Sequence, residues 1–269
     1  MKLAAHITFF HVEERICYLE QVLDGLLAMK CDTHVFIYTN KQFSLKNRKN
    51  ANIQHFVFPY KAKRPNFHFN SLVGKMGWKQ WVHPYHLSWE PRSVIEKSIE
   101  DYDIQLYLED DMAFTQKNLD YWFKHKDSLI AKGHNLGFLR VEFKNNERLI
   151  TDLQAPLKST KVLDNKCYLV NDQNPYCGFW IYDKKELKRF IKSKEWRFKF
   201  KEYFVREKSA IGWHGTNMGH YKSTLLPLEK SHKNLHTKEG AAIHHLPNNY
   251  IDHQVFCKVK FPIVVSNEQ

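Results

Sequence analysis

Three glycine-centred signatures are missing from this chain. There is no G-x-x-x-x-G-K-[ST] run, so no ordinary phosphate-binding loop is encoded. No G-x-G-x-x-G follows the first apolar stretch, which argues against a dinucleotide-dependent dehydrogenase. No G-x-S-x-G occurs, which disfavours an α/β-hydrolase. Glycine is scarce altogether, 10 in 269 residues, and the chain has no Gly/Ser linker, low-complexity tract or internal repeat. The five cysteines, at 17, 31, 167, 177 and 257, are odd in number and never spaced C-x-x-C. That spacing suits neither a disulfide framework nor a zinc ribbon, and suits free thiols in a reducing compartment. No apolar run approaches the ~18 residues of a membrane span. Met1 to Phe10 is apolar but too short for a signal peptide, contains His6 and lacks a small-residue cleavage site, so it reads as a first strand. The expected location is the cytoplasm, with peripheral contact to an anionic membrane surface compatible with the charge.

Two features are present in excess. The formal net charge is +12, which favours anionic partners: nucleic acid, acidic headgroups, or phosphorylated substrates. Aromatic residues reach 14%, enough to fill a core or to line a sugar-binding surface. Leu3 to Phe9 and Thr33 to Tyr38 read as buried strands around a helix from Arg15 to Met29, whose Ile16, Leu19, Val22, Leu23, Leu26 and Leu27 form one apolar stripe. Ile53 to Phe58 reads as a third strand. Pro91 to Ile99 is expected as a helix, Ile104 to Leu108 as a strand and Asn118 to Ile130 as a helix. Leu136 to Phe143 reads as a strand, residues 145–164 as loops or a hairpin, and Cys177 to Tyr182 as a strand with a helix from Lys184. A helix over Glu202 to Ile211 and a histidine-rich tail from Ser231 follow. The pattern predicts an α/β fold with a mixed, mostly parallel sheet flanked by helices.

The strongest chemical feature is LYLEDDMAF, Leu106 to Phe114, in which a buried strand delivers Glu109, Asp110 and Asp111 at its C-terminal end. Ligands gather at that edge of open α/β sheets. Adjacent carboxylates repel unless a cation offsets them, and hard oxygen ligands suit Mg²⁺ or Mn²⁺ bridging a diphosphate. Strand alternation predicts that Glu109 and Asp111 share one target while Asp110 points the other way. The same residues also suit a strand-end turn with acidic groups at a helix start.

An apolar strand ending in an E-D-D run, about a hundred residues after a β-α-β start, resembles the GT-A glycosyltransferases. HPYHLSWEPR (His83 to Arg92), NPYCGFWIY (Asn174 to Tyr182) and IHHLPNNY (Ile243 to Tyr250) are similar to that group as well. The resemblance implies a GT-A nucleotide-diphospho-sugar transferase fold in a single domain, with a nucleotide-binding half over 1–115 and an acceptor-binding half over 116–269. It implies transfer of a sugar from a UDP, GDP or dTDP donor to a glycan or glycolipid hydroxyl, with a divalent metal ion and no nucleic acid. Asp111 would be the direct metal ligand, with Glu109 or Asp110 on ribose, metal or a bound water. Thr8 to Phe10 and Thr39-Asn40 would flank the nucleoside, so Thr8, Phe9 and Asn40 are donor-site candidates. A C-terminal histidine closes the metal site in such enzymes, and His244 and His245 match, with His236 third. Gly178, Phe179 and Trp180 would shape the sugar pocket, Gly178 through close backbone approach and Trp180 by stacking. Inversion would need a carboxylate base: Glu207 first, Asp183 and Glu202 as alternatives. Lys61, Lys63, Arg64, Lys75, Arg92 and Lys238 are candidates to neutralise the diphosphate.

Two other classes use parts of the same equipment. A metal-dependent phosphodiesterase would need a further H-x-H or D-x-H pair near the first strand, and His6 and His11 do not form one. A nucleic-acid-binding protein would need a clustered basic stripe or a recognisable binding motif, and neither is found.

Overall fold

The structure, a computed structural model, describes residues 1–45, 52–58, 84–197, 209–212, 224–231 and 233–266. The chain begins with β1 (Lys2–Phe9), a short 3-10 turn (Glu13–Arg15), α1 (Ile16–Leu27), β2 (Asp32–Thr39) and β3 (Ile53–Val57). It continues with α2 (Pro91–Lys97), β4 (Ile104–Glu109), β5 (Met112–Ala113) and α3 (Gln116–Ile130). Next come β6 (Asn135–Leu136), β7 (Leu139–Lys144), β8 (Glu147–Ile150), β9 (Thr160–Leu163), β10 (Lys166–Asn171), β11 (Phe179–Asp183) and α4 (Lys184–Lys192). The described chain ends with β12 (Thr224–Ser231), β13 (Asn234–Thr237), β14 (Ala242–His245), β15 (Val259–Phe261) and β16 (Val264–Ser266).

The main sheet has the order β11-β4-β1-β2-β3. β1 to β4 run parallel, and β11 returns antiparallel on β4. This is the mixed, mostly parallel sheet that the sequence predicts, and it ends β1, β2 and β4 at one common edge. Both faces are covered, which explains the near-continuous apolar strands. One face carries Leu3, Ile7, Val35, Ile37, Leu106 and Leu108 against Leu19, Val22, Leu23 and Leu26 of α1. Each such leucine, moved out of water, stabilises by roughly 1.5–3 kcal/mol. The other face carries Tyr107, Trp180 and Tyr182 against Ile95 of α2 and Leu187 and Phe190 of α4.

Two further sheets lean on this frame, in the orders β16-β13-β12-β10-β9 and β15-β8-β7-β14-β5. The stretch 145–164, weak in pattern, holds β8 and β9. Asn145-Asn146 takes φ of 48° and 68°, and Asp164-Asn165 takes 49° and 58°, which are the left-handed angles of two-residue hairpin turns. The single strand expected over Leu136 to Phe143 is divided, because Gly137 N donates to Leu225 O at 2.8 Å and draws β6 onto β12. Only residues 209–211 of the helix expected at 202–211 are described.

What matters for function is how β14 reaches the acidic edge. Thr115 caps α3 in a box with Asn118, and Asn118 Nδ2 then donates to Gly240 O at 3.0 Å and Ala242 O at 2.8 Å. That pins the start of β14, which pairs with β5 in the register His245 opposite Met112 and His244 opposite Ala113.

His6 sits at the centre of the sheet and is fully buried. Its Nε2 lies 2.6 Å from Gln105 Oε1 and its Nδ1 2.9 Å from the Tyr38 hydroxyl, which suits a neutral ring donating to Gln105 and accepting from Tyr38. Burial depresses its pKa to about 4 against a helpful Gln105 bond. The unfolded chain therefore takes up this proton first, so stability is full above about pH 6.5 and is lost as the pH falls toward 4. Urea unfolding of wild type and His6→Gln between about pH 7 and 4.5 is expected to show a wild-type loss larger by about 2–3 kcal/mol.

Candidate active site

The carboxyl edge of the main sheet holds the acidic run. β4 stops at Glu109, and the chain turns through Asp110 and Asp111 before β5. That turn overrides the alternation expected from a continuing strand. Glu109 and Asp111 do not share a target; Asp110 and Asp111 do. Arg15, in the 3-10 turn after β1, donates from Nε to Asp110 Oδ2 at 2.9 Å and from Nη2 to Asp111 Oδ2 at 2.7 Å. The same Nη2 lies 2.8 Å from Asp110 Oδ2. Glu109 turns aside and accepts from the Tyr176 hydroxyl at 3.0 Å.

His245 approaches from β14, with Nε2 3.4 Å from Asp111 Oδ2 and Nδ1 2.5 Å from Glu142 Oε1. Glu142 is wholly buried on β7, and its other oxygen accepts from Tyr250 N at 2.8 Å. Leu246 N donates to Asp111 O at 3.0 Å, so the acidic turn is also held through its backbone. Beside it, Arg140 donates to Asp152 at 2.9 and 2.7 Å, and its guanidinium lies 5.1 Å from the Tyr176 ring centre and 5.4 Å from that of Tyr250. Such a buried pair fixes geometry more than it adds stability. Here it holds in place the tyrosine that orients Glu109.

Electrostatics divide the two aspartates. Burial raises the Asp110 pKa, and the charge of Asp111 adds to that against the pull of Arg15. Burial also works against charge on Asp111, but hydrogen bonds from His245 and Arg15 outweigh it and hold its pKa below the usual range. For His245 burial opposes the proton, and the bonds to Asp111 and Glu142 overcome it and raise its pKa.

The donors at the turn suit a hard or borderline cation in kind: a carboxylate oxygen from Asp111 and an imidazole nitrogen from His245. Asp111 Oδ1 is buried with no hydrogen-bond partner among the described residues, as a ligand atom awaiting a cation would be. Among the described residues, no three acidic, His or Cys side chains already converge as a cage. Arg15 takes the inner oxygens instead.

The remaining expected residues divide plainly. Thr8 lies opposite Glu109 in the sheet, its hydroxyl 3.1 Å from that of Tyr107. Asn40 Oδ1 accepts from His11 N at 2.7 Å and shapes the loop after β1. Phe9 does not face a donor: it is fully buried, with Phe43 edge-on to its ring at 5.1 Å. Phe179 and Trp180 are likewise core residues. Trp180 stacks on Tyr107 and donates to Ser209 O at 2.9 Å, so it offers no ring to a sugar. Asp183 lies at the opposite edge, paired with Ile104 at the start of β4, where it caps α4 and binds Lys126 at 2.6 Å. It is no base for this site. Arg92 is sandwiched with its guanidinium 3.2 Å from the Trp89 ring centre, and donates to Trp196 O at 3.1 Å, which makes it a packing residue. His244 bonds Asn248 at 3.2 Å and meets the Phe143 ring, pointing away from Asp111 as strand alternation requires. His236 lies on β13 near Glu229. Glu207, Glu202, Lys75, Lys61, Lys63 and Arg64 lie outside the described residues.

Sequence reasoning missed Arg15, Glu142, Arg140, Asp152, Tyr176 and Tyr250 as site residues. Arg140 and Glu142 left one visible signal, two charges inside a stretch otherwise fit for burial.

No protein-family model and no curated protein matches the sequence. Solved structures do overlap it loosely. S. aureus TarS in complex with UDP-GlcNAc shares 13% identity over 70% of this chain and 47% of its own, at a TM-score of 0.36. The galactosyltransferase LgtC with donor and acceptor sugar analogs shares 13% over 77% and 69%, at 0.34. A 4-diphosphocytidyl-2C-methyl-D-erythritol synthase shares 9% over 78% and 84%, also at 0.34. This chain spans about half the length of the TarS structure it matches. The strand order gives the mixed, mostly parallel sheet expected from the sequence, with the acidic turn at the end of its fourth parallel strand.

Gly178 N-terminal to β11 passes close to the site, its carbonyl accepting from Glu109 N at 3.0 Å. It adopts φ +71°, and a Cβ there would meet Met112 Cγ at 3.0 Å and Glu109 Oε2 at 3.2 Å. Gly133 has a similar φ of +74° in open space. Gly133→Ala is expected to cost about 1 kcal/mol from backbone strain alone, and Gly178→Ala about 2 kcal/mol or more, as read by urea unfolding.

Proposed function

We propose that this protein is a glycosyltransferase that moves a sugar from a nucleotide-diphosphate donor to a hydroxyl acceptor with the help of a divalent metal ion. The observation that carries this reading is the turn Glu109-Asp110-Asp111 at the carboxyl edge of a parallel sheet, met by His245 from a distant strand. Mn²⁺ or Mg²⁺ would be held by Asp111 through its spare Oδ1, with His245, and would supply positive charge against the leaving diphosphate; Glu109 would join them only by leaving the Tyr176 hydroxyl.

The protein's own groups do the rest. Glu142 fixes the His245 ring by accepting from Nδ1, which turns Nε2 toward Asp111. Tyr176 orients the Glu109 carboxylate. Thr8 and Asn40, at the ends of β1 and β2, lie where a nucleoside would rest at the sheet edge. Gly178 lets the backbone before β11 run against Glu109 and Met112, where a Cβ would crowd both. With Asp183 at the far edge, Glu207 remains the proposed base for an inverting transfer, and Lys75 a proposed diphosphate partner. A UDP, GDP or dTDP sugar is the proposed donor, and a glycan or glycolipid of surface polysaccharide synthesis the proposed acceptor. Among the described residues no helix is long and apolar enough to cross a membrane. Lys185, Lys188, Arg189 and Lys192 form an exposed basic face on α4 that suits contact with an anionic membrane surface.

Thermal shift with UDP, GDP and dTDP, with and without Mn²⁺, tests the reading. Stabilisation by one nucleotide only when Mn²⁺ is present supports it; salt-sensitive binding of DNA or RNA with no nucleotide effect refutes it. His245→Ala is expected to abolish the Mn²⁺-dependent shift and His244→Ala to leave it. Glu142→Gln is expected to weaken Mn²⁺ binding roughly 10–100-fold, measured by titration.

A further inference from the structure

Arg15 already supplies positive charge at the carboxylates where the proposed cation should act. Its guanidinium spans Asp110 Oδ2 and Asp111 Oδ2 at 2.7–2.9 Å and, among the described residues, is the cation that pairs with both. The two carboxylates are nearly buried, with side chains 10% and 7% exposed, whereas the Arg15 side chain is 33% exposed. The acids are therefore fixed and the arginine has an open side. Guanidinium also matches phosphate oxygens in a two-point contact as well as it matches carboxylates.

We infer that Arg15 is a resident counter-ion that competes with the divalent ion for Asp110 and Asp111, and that it exchanges these carboxylates for the donor diphosphate when the metal binds. This rests on the metal-dependent reading above. In the free protein Arg15 offsets the repulsion of two adjacent acids, so the turn keeps its shape without metal. When a divalent ion takes Asp111, the carboxylates no longer need the guanidinium. The released guanidinium then has the diphosphate as a new two-point anionic partner. The consequence is an order of binding: metal alone is held weakly because the guanidinium on Oδ2 already offsets the Asp111 charge and repels a second cation, and metal with diphosphate is held tightly because Arg15 gains a new partner.

The test uses the full chain, Mn²⁺ alone and inorganic pyrophosphate. Free Mn²⁺ is followed by electron paramagnetic resonance and pyrophosphate by calorimetry, for wild type, Arg15→Gln, Arg15→Lys and Asp111→Asn. Arg15→Gln is expected to bind Mn²⁺ alone on the order of tenfold more tightly than wild type, and pyrophosphate with saturating Mn²⁺ about tenfold more weakly. It should also melt lower in a chelator and recover with Mn²⁺. Arg15→Lys, which keeps the charge but loses the two-point contact, is expected to fall between on both measures and guards against a folding defect in the neutral variant. If wild type binds Mn²⁺, Asp111→Asn does not, and Arg15→Gln binds as wild type does or less tightly, the competition is refuted while the metal site stands. If neither wild type nor Arg15→Gln binds Mn²⁺ or pyrophosphate, the metal reading fails and the inference with it.

Discussion

Two aspartates side by side at the end of a buried strand repel each other, and the architecture of this edge is organised around that repulsion. Asp110 and Asp111 are nearly buried, so solvent screens them little. Arg15 comes from the segment after β1 and His245 from a strand more than a hundred residues later. Three separate parts of the chain thus meet at one pair of carboxylates. Remove Arg15 and both buried carboxylates lose the guanidinium that offsets them, which is the costly way to break such a pair. The parallel sheet supplies the place, because it ends β1 and β4 together and so delivers Arg15 and the acids to the same edge.

His245 shows how little freedom this leaves. Its ring is held at Nδ1 by Glu142, and Glu142 in turn by Tyr250 N. A histidine held this way presents one defined nitrogen, which is what a ligand or a fixed ion pair requires. The neighbouring His244 has the same side chain and the opposite facing, and the β5–β14 register alone distinguishes them.

Much of the frame was legible because it rests on local pattern. The apolar stripe of α1, the β-branched run of β2 and the strand that runs into Glu109 are all period or composition signals. The site was legible only where chemistry is contiguous, in the acidic run and the histidine pair. Arg15 is one cation among 41 Lys and Arg, and nothing near it in sequence announces a partner 95 residues away. Trp180 and Phe9 misled for another reason. A strand buried on both faces is apolar at every position, so its sequence does not say which side chains meet a ligand and which fill the core. Asp183 did carry a readable signal, since D-K-K-E is a helix-start pattern, and its cap on Glu186 N at 2.8 Å is what that pattern means. The alternation rule failed at Asp110 because it holds only while the strand continues.

The placement of α1 also limits how the site can change. Gly25 lies so close to the strand end that a Cβ there would be 2.8 Å from Phe114 O. Near its other end α1 follows directly from Arg15, whose head group holds Asp110 and Asp111. The helix is thus docked against the segment 110–114 at both ends, and its Leu19, Val22, Leu23 and Leu26 are fully buried against the sheet. Sliding α1 would expose those leucines and open the Gly25 contact, at a cost of several kcal/mol. Rotating the partly exposed Arg15 side chain costs only rotamer freedom and the ion pair it leaves. An exchange of Arg15 between carboxylates and a diphosphate is therefore a side-chain event on a fixed backbone, and the site can accept a charged ligand without the sheet or its covering helix moving.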